Sequence, residues 1–102
     1  IVSIVKERYN DSNLSLNTIA DHFHLSPVYL GRLFRNNYSR SVGELINDIR
    51  IEHAKVLLSN TNMSINDISD TTGFANSGYF YTIFKKYTSV TPSQFRQATQ
   101  DL

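Results

Sequence analysis

Apolar residues recur along this chain at intervals of three and four, and nearly every such run follows a Ser, Thr or Asn placed where a helix needs a cap. Seven helices result. Residues 1–9 carry Ile1, Ile4, Val5 and Tyr9 near helical spacing, and the Asn10, Asp11, Ser12, Asn13 cluster ends that element. A second helix starts at Ser15 and presents Leu16, Ile19, Ala20 and Phe23. Ser26 then caps a third, with Pro27 at the first helical position, where its missing N–H costs nothing; this helix runs to about Asn37. Ser41 with Glu44 spells a capping box that opens a long helix to about Ser59. Ser64 with Asp67, Asn76, and Thr91 with Pro92 and Gln94 start the last three. No stretch alternates with a period of two, so no sheet is expected.

Part of this pattern is written twice. Ala20, Tyr29, Leu30, Leu33, Phe34 and Arg35 are echoed by Ser69, Tyr79, Phe80, Ile83, Phe84 and Lys85, with Lys86 beyond. Residues before the turn are offset by 49 and those after it by 50, so one residue is inserted in the second turn. Two short helices meeting at a tight turn, used twice, predict a tandem helix-turn-helix. The fold expected is all-α: seven helices forming two helix-turn-helix subdomains, residues 1–41 and 59–102, joined by a long linker helix over 42–58.

Helical geometry gives each second helix an inside and an outside. In the third helix Leu30, Leu33, Phe34 and Asn37 share the inward face, and Val28, Gly31, Arg32 and Arg35 form the outward stripe. In the sixth, Phe80, Ile83, Phe84 and Tyr87 point in, while Gly78, Tyr81, Thr82 and Lys85 point out, with Ser77 and Lys86 beside them. Ala20 and Ser69 sit where paired helices cross and a small side chain is needed. Ser69 must bury a hydroxyl there, expected to bond back to a helix carbonyl. Gly73 suits the second turn because it accepts positive φ; His24 holds the matching place in the first.

Charge changes the picture more than composition does. The 102 residues are 40% hydrophobic and 12% aromatic, enough to bury one modest core or two small ones. Net charge is only +1, small for a nucleic-acid binder, but it is segregated. Residues 26–40 hold Arg32, Arg35 and Arg40 without an acid, and residues 73–91 hold Lys85 and Lys86 without one, leaving −4 for everything else. Phosphate attraction follows the local field, which decays over a Debye length of roughly 8 to 10 Å, so such segregation can serve DNA binding. The competing reading is that these bases are simply solvated.

Other chemistries fare worse. No apolar run approaches the roughly 20 residues of a membrane span, and no charged start followed by an apolar stretch and a cleavage site is seen in these residues. Without Cys there is neither a disulfide framework nor a thiolate metal site, which fits a reducing cytosol. His22 and His24, two apart on a helix, diverge and lack a third ligand, so no metal is expected. His53 reads as packed or solvated. No nucleophile elbow, phosphate loop or paired catalytic carboxylates occur, so neither an enzyme nor a cofactor is expected. Glu44, Asp48 and Glu52 repeat every four residues along the linker helix, as a solvated face or as a contact for RNA polymerase or an upstream regulatory domain. Opening at Ile1 rather than Met, the chain reads as part of something longer.

The residues also carry a resemblance. S-P-V-Y-L-G-R-L-F-R at Ser26 to Arg35, L-I-N-D-I-R-I-E-H-A-K-V-L-L at Leu45 to Leu58, and Gly73-Phe74, Tyr79-Phe80, Phe84-Lys85-Lys86, Thr91-Pro92 and Phe95-Arg96 in the tail together resemble the DNA-binding domain of the AraC/XylS transcription regulators. The resemblance covers nearly the whole chain. It implies a sequence-specific bacterial regulator, cytoplasmic and monomeric as an isolated domain, whose two recognition helices enter successive major-groove segments on one face of the duplex. Linker geometry agrees: 17 residues span roughly 25 Å, which with the subdomain bodies can set the recognition helices about 34 Å, one DNA turn, apart. A stiff spacer of this kind can force the DNA to bend.

Arg32 lies where the family commonly places a base-contacting side chain, and its planar fork suits O6 and N7 of guanine. Val28 could meet a thymine methyl, and Gly31 lets the backbone approach. Tyr81, Thr82 and Ser77 face out from the second reader, with Lys85 and Lys86 better placed for phosphate; Tyr29 and Tyr79 read as packing residues. Three features depart from the family pattern. Thr82 replaces a common Arg, Ser39 and Ser89 stand where Gly usually ends each recognition helix, and Ser69 replaces Ala. A left-handed Ser costs on the order of 1 kcal/mol, so distorted helix ends are expected. The rival function is a helical protein-interaction module that has lost DNA affinity.

Overall fold

Helix starts are set by side-chain caps one after another. In the computed structural model, which describes residues 1–100, Ser15, Ser26, Ser41, Ser64, Asn76 and Thr91 each accept a hydrogen bond from the backbone N–H three residues on. They open α2 (Leu16–His22), α3 (Pro27–Tyr38), α4 (Val42–Asn60), α5 (Ile65–Thr71), α6 (Ser77–Thr88) and α7 (Pro92–Gln100). Only α1 (Val2–Arg8) begins without a side-chain cap. Among the described residues there are seven helices and no strand.

The linker helix is 19 residues, two longer than expected, or roughly 28 Å. It supplies two separate cores. Val42 and Ile46 join Val5, Leu14, Ile19, Ala20, Leu30 and Phe34, while Ile51, Ala54 and Leu58 join Ile68, Phe74, Phe80, Ile83 and Phe84. At about 100° per residue, Val42 and Ile46 point one way and Ile51, Ala54 and Leu58 point about 130° away, so the subdomains pack on different faces of one rod. Arg50 falls between the two arcs. The molecule is accordingly elongated, 46 × 23 × 22 Å.

Both ends of the rod are tied down. At the start, the Glu44 side chain accepts from the Ser41 N–H, a bond that holds its carboxyl below the ordinary value. At the end, Arg96 and Gln100 of α7 both donate to the carbonyls of Leu58 and Thr61. Those carbonyls would otherwise lack partners.

Several expectations need correcting. Phe23 and Leu33 were placed inward by helical period but are each 42% exposed, and Asn37 is exposed with its amide bonded to the Leu33 carbonyl. Their counterparts Thr72 and Ile83 are buried. Periodicity fixes the direction of a side chain, not whether a neighbour stands there. The Ser39 and Ser89 ends are not distorted: both residues take the left-handed cap, φ 59° and 67°, and donate to the carbonyl four residues back. His24 does adopt positive φ, 57°, like Gly73 at 95°.

Ser69 is fully buried, and its hydroxyl makes no hydrogen bond, contrary to the expected bond to a carbonyl. It packs as an oversized alanine. Ser69→Ala, which reproduces Ala20 of the first repeat, should therefore stabilise the chain by about 1 kcal/mol in urea unfolding. Destabilisation would mean that the hydroxyl has a partner.

Candidate nucleic-acid interface

The outward stripe of α3 begins one residue after the Pro27 start and rises over the crossing with α2. Val28 is 70% exposed, and Arg32 and Arg35 are exposed. Gly31 is half-buried rather than open, since a Cβ there would lie 3.3 Å from Cδ2 of Leu16. A Cβ there fits only if the Leu16 side chain gives by a few tenths of an ångström. Ser77, Gly78, Tyr81, Thr82, Lys85 and Lys86 of α6 are all exposed. The Thr82 hydroxyl donates to the Gly78 carbonyl at 3.1 Å, which leaves its oxygen outward as an acceptor and its methyl as an apolar contact.

The α3 stripe opens on a groove that a second groove continues toward the first turn of α6. One groove is lined by Pro27, Val28, Gly31, Arg32 and Arg35 of α3, by Leu16, and by Ser41, Val42 and Gly43 at the start of α4. An adjoining one runs from Leu16 and Gly43 past Asn47 and Arg50 to Tyr79 in the first turn of α6. Leu16 and Gly43 belong to both. No signal in the chain marked these residues of α2 and α4 as groove lining, because they lie outside the repeated recognition helices and acquire that place only when the helices pack. Tyr79 packs beside Phe74, and its hydroxyl accepts from Asn47 at 3.1 Å, yet it is 49% exposed, as Tyr29 is at 55%.

Charge is sorted more sharply than the sequence alone suggested. Arg8 pairs with Asp11, Arg40 with Asp48 at 2.6 Å and Lys55 with Glu52, while Arg50 and Arg96 hold backbone carbonyls. Among the described residues, five bases are left without a protein partner: Lys6, Arg32, Arg35, Lys85 and Lys86. Four of the five lie on α3 and α6. Arg40, counted with the basic segments by position, is spent on Asp48. The acidic row is likewise occupied, with Glu44 in its capping box, Asp48 on Arg40 and Glu52 on Lys55. His53 stacks flat on Tyr9 at 3.8 Å between ring centroids. His22 lies at the end of α2 and His24 in the turn after it, and among the described residues no cluster of possible metal ligands forms.

Two short helices crossed over a small residue, repeated about a common rod with unpaired bases on each second helix, define a tandem helix-turn-helix DNA-binding domain. Residues 19–98 match the family described as a helix-turn-helix domain. The arabinose operon regulatory protein of Escherichia coli K12 is 38% identical over 95% of this chain and 33% of its own length. The bifunctional transcriptional activator/DNA repair enzyme AdaA of Bacillus subtilis is 39% identical over 97% of the chain and 48% of its own length. The C-terminal domain of AraT, a response regulator from Geobacillus stearothermophilus, superposes with a TM-score of 0.91 at 33% identity, over 95% of this chain and 80% of that one. The chain belongs to the AraC-type helix-turn-helix family. It spans about a third to a half of these curated relatives' lengths.

The pairing of Arg40 generates a contrast. Arg35→Ala should lower the slope of log affinity for DNA against log salt by about 0.9, the share of one phosphate contact, while Arg40→Ala leaves that slope unchanged. Titrations across a salt series measure both, and equal effects would show that the Arg40 pair opens on DNA.

Proposed function

We propose that this domain reads double-stranded DNA for a bacterial transcription regulator by laying α3 and α6 into successive major-groove segments, with residues 42–58 as the spacer between reading subdomains 1–41 and 59–102. The observation that carries it is the sorting of charge: among the described residues, four of the five bases without a protein partner lie on those two helices. In this reading Arg32 forks onto a guanine, Val28 meets a thymine methyl and Gly31 keeps α3 close to the floor of the groove. On the second half-site Tyr81, Thr82, Ser77 and Gly78 face the bases, and Arg35, Lys85 and Lys86 hold phosphates. Thr82 makes a weaker base contact than an arginine, so the second half-site is read more by shape than the first.

The domain acts by binding alone and carries out no chemistry; the repair activity named for AdaA belongs to that protein. No helix among the described residues is long and apolar enough to cross a membrane, and the reading places the protein in the cytoplasm. In this reading the isolated domain is a monomer whose protein partners are RNA polymerase and an upstream regulatory domain, in keeping with relatives named as operon regulatory proteins. Activation of transcription, the role printed for AdaA, is the output this reading assigns to the whole protein.

Selection from a randomised duplex library tests the reading. The chain should enrich one bipartite sequence, and Arg32→Ala should lose about 1 to 3 kcal/mol on it while becoming indifferent to a single base pair. Equal loss on every sequence would demote Arg32 to a phosphate contact. No enrichment by the unaltered chain, with binding insensitive to salt, would favour a protein-interaction module instead.

A further inference from the structure

Arg50 is buried, 7% exposed, with no carboxylate among the described residues within ion-pair distance, although burying a charge without a counter-ion is costly. Its fork is satisfied by the α1–α2 loop: Nε donates to the Tyr9 carbonyl at 2.8 Å and Nη2 to the Asp11 carbonyl at 2.9 Å. Its guanidinium carbon lies over the ring of Phe74, 5.6 Å from the centroid, in the connection between α5 and α6. One side chain on the shared rod thus bonds the backbone of the first subdomain and sits over an aromatic ring of the second.

Internal repetition shows that neither core asks for this residue. The offset of 49 sets Arg50 opposite Ile1, an apolar residue that packs against the first core. The same comparison isolates Gly73. The first turn accommodates a full side chain at positive φ in His24, whereas a Cβ on Gly73 would stand 2.2 Å from the Tyr9 carbonyl oxygen, 2.9 Å from Nε of Arg50 and 3.1 Å from Cα of Asn10. Gly73 is thus required by contact with the first subdomain as well as by turn geometry.

We infer that Arg50, seated between the Tyr9–Asp11 backbone and the Gly73-Phe74 turn, is a positioning residue that fixes the angle between the two reading surfaces and so dictates which half-site separation the domain accepts. A continuous helix resists stretching, but the subdomains at its two ends can still roll on their separate faces. Arg50 blocks that roll. Asn47 to Tyr79 and Tyr87 to the Glu44 carbonyl add weaker ties on the same seam.

This inference rests on the DNA reading, and its test separates the two. With the selected bipartite site in hand, duplexes are built with the half-sites at the native separation and displaced by one, two and three base pairs, together with duplexes carrying one half-site alone. The unaltered chain should prefer the native separation by about tenfold or more, since tethered binding depends on geometry that lets both sites engage. Arg50→Met should bind single half-sites within about twofold of the unaltered chain, yet lose most of the preference for native separation. If Arg50→Met does not melt cooperatively, Arg50→Lys and Gly73→Ala attack the same contact from its two sides and must flatten the profile likewise. A separation profile unchanged in the folded variants, or single-site binding lost in parallel with bipartite binding, overturns the clamp. Failure of the unaltered chain to enrich any sequence overturns the DNA reading itself.

Discussion

Everything in this molecule depends on one helix serving two hydrophobic cores. Because Val42 and Ile46 face one way and Ile51, Ala54 and Leu58 another, α4 is at once a wall of each subdomain and the only rod between them. An ordinary linker would let the two helix-turn-helix units move independently, whereas here neither can leave α4 without opening its own core. Caps at both ends secure the rod, from Ser41 and Glu44 at one and from Arg96 and Gln100 at the other.

That economy explains how a chain of +1 net charge can address a polyanion. Structural bases are consumed by carboxylates and carbonyls, Arg40 by Asp48, Lys55 by Glu52, and Arg50 and Arg96 by backbone. Among the described residues, the bases left without a partner are concentrated on α3 and α6. Attraction is local and short-ranged at physiological salt, so placement matters more than the sum.

Most of the architecture was legible beforehand because its signals are local. Caps at Ser15, Ser26, Ser41, Ser64, Asn76 and Thr91 depend only on residues three apart, and all six start helices as expected. The failures share a cause. Leu33 and Phe23 lie on faces that period marks as inward, but burial needs a neighbour that sequence spacing does not supply. Ser69 was expected to bond a carbonyl and finds none, because a side chain's partner is set by packing around it. The outward residues were legible as stripes, yet the grooves lined by Leu16, Gly43 and Asn47, and the Arg50 contact, came only from tertiary structure.

The central claim is that a single rigid rod presents two readers to one side of a duplex. Hydroxyl-radical footprinting on the selected site tests it most directly. The account predicts two protected tracts about 10 base pairs apart on the same face of the DNA, one beneath each recognition helix. A single tract, or two on opposite faces, would contradict it.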